Sequence, residues 1–141
     1  MALDNIFGIA GSALNAQTVR MNTTASNLAN AGSVAGTDKD AFRAKRTTFK
    51  TIMEQQLGSS ETNNKGGVKV AAITDDPKTI SRMSDPGNPS ADKDGYVYLS
   101  NVNEMSEMVE MMAAARSYQN NVEVVNTARQ LMMRTLDIIK S

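Results

Sequence analysis

The chain has 141 residues, which is enough for one ordinary domain. Its 15 basic and 15 acidic residues balance, so no charge field is available to make nucleic acid a main ligand. Without histidine or cysteine, it lacks the commonest general base, the thiol nucleophile and the usual zinc ligands. We therefore expect no enzyme, no cofactor and no metal site, although carboxylate or lysine catalysis stays open in principle.

Residues 1–32 are predicted to form a long helix, from about residue 3 to residue 31. Asp4 can cap its start and Gly32 follows its end. Large apolar residues recur every seven positions, as in a coiled-coil seam; they are Phe7, Leu14, Met21 and Leu28. A companion series alternates with them at spacings of four and three; it is Leu3, Ala10, Gln17 and Thr24. Because Gly8 and Gly11 weaken the helix, it needs a partner.

Residues 33–102 are predicted to form a small β-rich insert dominated by loops. All three prolines fall here, and helical periodicity is absent. Residues 68–73 alternate after the turn signal at 63–67 and predict a strand, as do residues 96–99. Residues 45–53 fit either a strand or a short helix, and residues 58–67 are typical of a mobile loop tip.

Residues 103–141 are predicted to form the second long helix, from about Glu104 to Lys140, capped by Asn103 or Asn101. Its seven-residue apolar series continues over almost the whole helix; it is Met111, Tyr118, Val125, Met132 and Ile139. The companion series is Met108, Ala115, Val122 and Leu136. Arg129 stands at the companion position where a hydrophobe is expected, so it either specifies register or reaches solvent.

The predicted fold class is therefore mainly α. The two terminal helices pair as an antiparallel or steeply crossed coiled coil, and the β-rich insert lies between them. Such a molecule suits assembly better than chemistry.

Two motifs invite a metal site and fail. Aligning Gly95 with the invariant glycine of a calcium loop puts Ser90 and Asn101 where essential carboxylate ligands belong. Glu104, Glu107 and Glu110 are already explained by the helix dipole and by solvation at a helix start.

The end of the first helix resembles the N-terminal signature of bacterial flagellar rod and hook proteins, the flagella basal body rod protein family. The residues that carry the resemblance are Ser26, Asn27, Leu28, Ala29 and Asn30. Residues 66–70, 75–77, 85–89 and 92–98 resemble one member of that family, and residues 101–122 resemble its C-terminal signature. Residues 32–43 depart from the Thr-Pro-Gly-Tyr pattern that many such proteins carry, which leaves the local backbone path open.

The resemblance implies a structural subunit of the proximal rod, needed for motility. It would polymerise helically into the drive shaft that crosses the periplasm and transmits motor torque. Expected partners are copies of itself, other rod proteins, basal-body ring and adaptor components, and the flagellar type III export apparatus. Neither nucleic acid nor a small-molecule substrate is expected. The N-terminal residues show no secretory signal pattern, which fits export without a cleaved signal peptide. The alternative is a secreted helical-hairpin adaptor that does not polymerise.

Overall fold

The computed structural model describes residues 2–52 and 66–140, with side chains described for 5–52 and 66–138. Within these described residues, two long helices flank five short strands along the chain. In chain order the elements are α1 (Ala2–Ala29), β1 (Val34–Ala35), β2 (Lys45–Thr51), β3 (Val68–Asp75), β4 (Arg82–Ser84), β5 (Tyr96–Leu99) and α2 (Glu104–Lys140). The predicted architecture, two terminal helices and a small β insert, is confirmed at this level.

The two helices pack against each other in antiparallel directions. Asn27, near the end of α1, contacts Glu107 in the first turns of α2. Near the start of α1, Ile6 lines the same groove as Leu131, far along α2. In the described residues, no helix is long and apolar enough to span a membrane.

Strands β2 and β3 form an antiparallel hairpin that packs on α1. Pairing runs from Lys45 opposite Asp75 to Thr51 opposite Val68, with an irregularity after Thr48. The segment 45–53, for which the sequence left strand and short helix open, forms a strand over Lys45–Thr51, in keeping with its threonines and phenylalanine. Most of the predicted loop tip at 58–67 lies outside the described residues.

Two glycines bring the start of β3 against α1. Gly66 and Gly67 have φ angles of +98° and +137°, which side-chain-bearing residues rarely adopt. A Cβ on Gly67 would lie 2.9 Å from the hydroxyl oxygen of Ser12. That hydroxyl accepts a hydrogen bond from the backbone N–H of Val68 at 3.1 Å. The glycines therefore permit direct bonding between hairpin and helix.

The second sheet has the order β1–β5–β4, and all its pairs are antiparallel. The predicted strand at 96–99 is its centre, and Val97 is fully buried. Strands β1 and β4 were not predicted from the sequence, because strands of two and three residues are too short to show periodicity. The departing segment 32–43 supplies β1 and then a turn closed by the Thr37 hydroxyl, which donates to Asp40.

Candidate functional site

Asn27 of the predicted signature is buried where α1 meets the hairpin. Its side chain is bound to the backbone of Lys45 on both sides: Nδ2 donates to the carbonyl at 2.9 Å, and Oδ1 accepts from the N–H at 2.7 Å. The amide thus pairs with β2 much as another strand would. Nδ2 also donates to Oε2 of Glu107 at 2.9 Å. One side chain therefore joins α1, β2 and α2.

Glu107 carries a buried charge at the start of α2, with only 1% of its surface exposed. Asn27 occupies one carboxylate oxygen, and Arg46 donates to the other, Oε1, at 2.7 Å. The position in the first helical turns adds favourable interaction with the helix dipole. The prediction that Glu107 is solvated was wrong, because a paired and hydrogen-bonded carboxylate can be buried.

Asp76 and Asn101 extend this network to the end of β3. Nε of Arg46 donates to Oδ2 of Asp76 at 3.1 Å. Asn101 accepts from the N–H of Ala44 at 2.7 Å and donates to the carbonyl of Asp76 at 3.2 Å. We call Asn27, Arg46, Asp76, Asn101 and Glu107 the polar junction.

The capping role belongs to the other candidate asparagine. Oδ1 of Asn103 accepts from the backbone N–H of Ser106 at 2.9 Å, the usual N-cap bond. The sequence offered Asn103 and Asn101 as alternative caps. In the structure Asn103 is the cap, because the side chain of Asn101 is engaged in the polar junction.

The charges of the junction favour one another. The N–H of Lys78, which donates to Asp76, and the guanidinium of Arg46 outweigh burial and hold the pKa of Asp76 below its ordinary value. Burial lowers the pKa of Arg46, but its hydrogen bond to Asp76 and the charge of Glu107 outweigh that effect, so the pKa is raised. Both groups are therefore charged at neutral pH.

The other signature residues differ in exposure. Ser26 and Ala29 are exposed and Leu28 is half-buried. Nδ2 of Asn30 donates to the carbonyl of Ser26 at 2.8 Å and so satisfies a carbonyl of the last turn of α1. The signature thus contains one buried residue, Asn27, that joins three elements, and a second asparagine, Asn30, that bonds the end of α1.

The residues of the two seven-residue series lie half-buried on their helices. They are Phe7, Leu14, Met21 and Leu28 on α1, and Met111, Tyr118, Val125 and Met132 on α2. The side chain of Ile139 lies outside the described residues. Half-burial leaves part of each side chain for contacts beyond those of the single chain.

The companion series predicted on α2 was wrong by one position at three of its four members, while the fourth, Ala115, is half-buried. Met108, Val122 and Leu136 are 49%, 36% and 53% exposed. The buried positions are instead Glu107, Ala114 and Ala128. Both sets fit alternating spacings of four and three, so periodicity could not choose between them. The structure places alanines inward, which lets the helices approach closely, and Arg129 is exposed next to buried Ala128.

Most of the exposed large apolar side chains belong to α2. Four of them follow i, i+3, i+4, i+7 spacing at its start; they are Met105, Met108, Val109 and Met112. Three more lie on another flank at seven-residue intervals; they are Val124, Leu131 and Ile138. This is far more apolar surface than scattered exposed residues explain.

The suspected metal loop is a plain turn. Oδ1 of Asp92 accepts from the backbone N–H groups of Asp94 and Tyr96, both at 2.9 Å. Gly95 follows with a φ of +77° beside Pro86. Across residues 2–52 and 66–140, no group of three potential ligands is placed to hold a metal ion.

Arg46 and Asp76 were missed as site residues, and Glu107 was misjudged. The burial of Glu107 had a weak signal in the sequence. Glu107 lies four residues before Met111, which is itself three residues before Ala114, so the alternating spacing of the inward face reaches a charged residue at 107. No local pattern marks Arg46, because its partners lie 30 and 61 residues away.

Comparisons with known proteins give one answer for the whole chain. Residues 7–36 match the family model described as flagella basal body rod protein, and residues 93–138 match that of the flagellar basal body rod FlgEFG protein C-terminal region. The chain is 49% identical to flagellar basal-body rod protein FlgC of Yersinia enterocolitica over 138 residues, covering 98% of both chains. It is 48% identical to FlgC of Salmonella typhimurium, with the same coverage, and 45% identical to FlgC of Buchnera aphidicola from Acyrthosiphon pisum over 140 residues.

Proposed function

The chain belongs to the FlgC family of flagellar basal-body rod proteins and is a structural subunit of the basal body, not an enzyme; from that premise we propose that it builds the proximal rod by helical polymerisation through α1 and α2. Assembly with other basal-body rod components follows from family membership. Membership of a rod-protein family also argues against the alternative of a secreted adaptor that does not polymerise.

The observation that carries the proposal is the apolar surface of α2. A helix that is apolar on several faces is normally surrounded by protein. In the single chain, α1 covers one face, while Met105 and Met112 are 72% and 69% exposed. Neighbouring subunits would cover this surface in the rod.

The outer face of α1 offers a different kind of surface. Its exposed residues follow spacings of three and four and are small or short; they are Gly8, Gly11, Asn15, Thr18, Asn22, Ala25 and Ala29. A shallow small-residue face on one subunit and large flexible methionines on another fit a heterologous contact. Heterologous contacts that do not close propagate into a helical array, as a rod requires.

We also infer that α1 and α2 pair as a coiled coil. The support is their antiparallel packing together with inward residues at Glu107, Ala114 and Ala128 that repeat with the half-buried seven-residue series. On this basis residues 1–32 and 103–141 form the core, and residues 33–102 lie outside it and contact other rod proteins. A stiff helical core suits the transmission of torque.

Export through the flagellar type III apparatus, without a cleaved signal peptide, completes the proposal. A chain whose helices are only partly stable alone can pass a narrow channel and regain order from burial at the growing tip. The glycines within α1 and the uncovered apolar face of α2 both lower the stability of the isolated helices.

Met112→Asp tests the assembly surface. Because Met112 is largely exposed, the change should leave the isolated subunit folded and soluble. A charge buried between subunits should abolish rod incorporation and motility. Incorporation is measured by fractionating basal bodies from cells that carry the variant as their only copy. Met112→Leu, which keeps a large apolar side chain at the same exposed position, is the matched control and should retain motility. Full motility of Met112→Asp cells would contradict the proposed surface.

A further inference from the structure

The apolar contacts between α1 and α2 specify their relative height poorly. The most buried apolar residues of the two helices are all alanines; they are Ala10, Ala16, Ala114 and Ala128. Ala114 and Ala128 recur 14 residues apart, and alanines bury little apolar area, so these contacts distinguish poorly between registers one helical turn apart. A repeat of this kind stabilises pairing without choosing one register.

The polar junction breaks that repeat at one end of the helix pair. Asn27 reaches Glu107 on α2 and both backbone groups of Lys45 on the hairpin, all within 2.9 Å. A slide of one helical turn is about 5.4 Å. It would separate these partners and leave Glu107, 1% exposed, without its hydrogen bonds. An unpaired buried charge is strongly disfavoured, so the displaced register is penalised.

We propose that the polar junction sets the register of the α1–α2 pair and locks it to the β2–β3 hairpin, in the isolated subunit as well as in the rod. Its role is specification more than stability, since a buried ion pair contributes little net stability compared with packed apolar residues. A fixed register makes every subunit present its apolar faces at the same height to its neighbours; that consequence alone rests on the proposed function.

A second ion pair between the helices provides an internal comparison. Arg20 and Glu110 also join α1 to α2, but their side chains are 32% and 43% exposed. A half-exposed pair stays hydrated when it breaks and contributes little. It should therefore not fix the register.

The test measures the relative position of the helices directly. The chain contains no cysteine, so Asn22→Cys and Met112→Cys introduce the only thiols in the full-length protein. Both positions are exposed, one on each helix near the junction. Spin labels on the two thiols report the distance distribution by pulsed electron paramagnetic resonance.

Arg46→Met with Glu107→Leu replaces the ion pair by apolar side chains. We expect its distribution to broaden or to gain a second peak displaced by about 5 Å, one helical turn. Arg20→Met with Glu110→Leu should keep the single narrow peak of the parent. Glu107→Gln, which keeps the volume and removes the charge, should broaden the distribution and serves if the double variant does not fold.

Two results would overturn the proposal. One is a single narrow peak at the parent distance in Glu107→Gln and in the folded double variant, because the junction would then be a stabilising contact only. The other is a broad distribution in the parent protein. Neither result depends on polymerisation, which Met112→Asp tests separately in cells.

Discussion

At the scale of single residues, this protein buries a charged side chain at a position that the sequence pattern assigns to an ordinary solvent-exposed helix surface. Glu107 stands in a run of methionines and glutamates and is nevertheless buried, because Arg46 and Asn27 satisfy both of its oxygens. Asp76 in turn holds Arg46 from the other side. The junction is thus a chain of neutralised charges whose members depend on one another.

Asp76 gives the junction a predictable response to acid. Its pKa is lowered in the folded protein from an ordinary 3.8, so its stabilising contribution is complete above that value and is lost as pH falls through the lower folded-state value. Urea denaturation followed by the near-ultraviolet signal of Tyr96 and Tyr98 should therefore show stability falling below about pH 4.

Asp76→Asn should lower the free energy of unfolding at neutral pH by about 1.5–3 kcal/mol, the value of hydrogen bonds to a charged group. It should also flatten the acid dependence. Asp94→Asn, at an exposed residue of the 92–95 turn, is the control and should keep the parent profile. An unchanged profile in Asp76→Asn would show that other groups control the acid response.

At the scale of elements, α1 performs three tasks on three faces. One face meets α2, another receives the hairpin at Ser12, and the third is the exposed small-residue face. Gly11 lies on this third face, and nothing lies within 4 Å of where its Cβ would be. Its absence of a side chain has no explanation within the single chain.

Gly11→Ala and Gly11→Met separate the needs of the subunit from those of the rod. Either change should stabilise α1 in the isolated subunit by up to about 1 kcal/mol, because glycine is a poor helix former. Far-ultraviolet circular dichroism measures this gain. If a neighbour packs on this face, Gly11→Met should block rod incorporation while Gly11→Ala is tolerated. Equal motility of both variants would mean that no neighbour approaches there.

At the scale of the whole molecule, the polar junction is well packed, whereas parts of the helix surfaces remain uncovered in the single chain. The junction end joins α1, both hairpin strands and α2, whereas the far part of α2 exposes Leu131, Met133 and Leu136. Regions with few buried apolar contacts open most easily. We expect the exposed parts of the helices to gain their full order only in the rod.

The isolated subunit should therefore contain less helix than its 28- and 37-residue helices would give when fully formed. Far-ultraviolet circular dichroism of the purified protein, before and after polymerisation, measures the difference. A fully helical subunit that melts cooperatively on its own would contradict ordering on assembly. The spin-label measurement at the junction end is independent of this outcome.

The amino-acid sequence alone is enough to predict the elements whose pattern is local and long. Seven-residue repeats marked both helices, turn signals marked β3 and β5, and the signature around Asn27 indicated the family. Where a pattern was short or admitted two solutions, it failed, as with β1, β4 and the companion series on α2.

The residues that hold these elements together can be identified only in the folded protein. Asn27, Arg46 and Glu107 meet across 61 and 80 residues of chain, so no local spacing records their contact. The inward turn of Ala114 and Ala128, rather than of the more hydrophobic Met108 and Val122, depends on how closely two helices approach. Periodicity assigns a face to each helix, whereas burial of a charge requires partners from several elements at once, and those exist only in the folded chain.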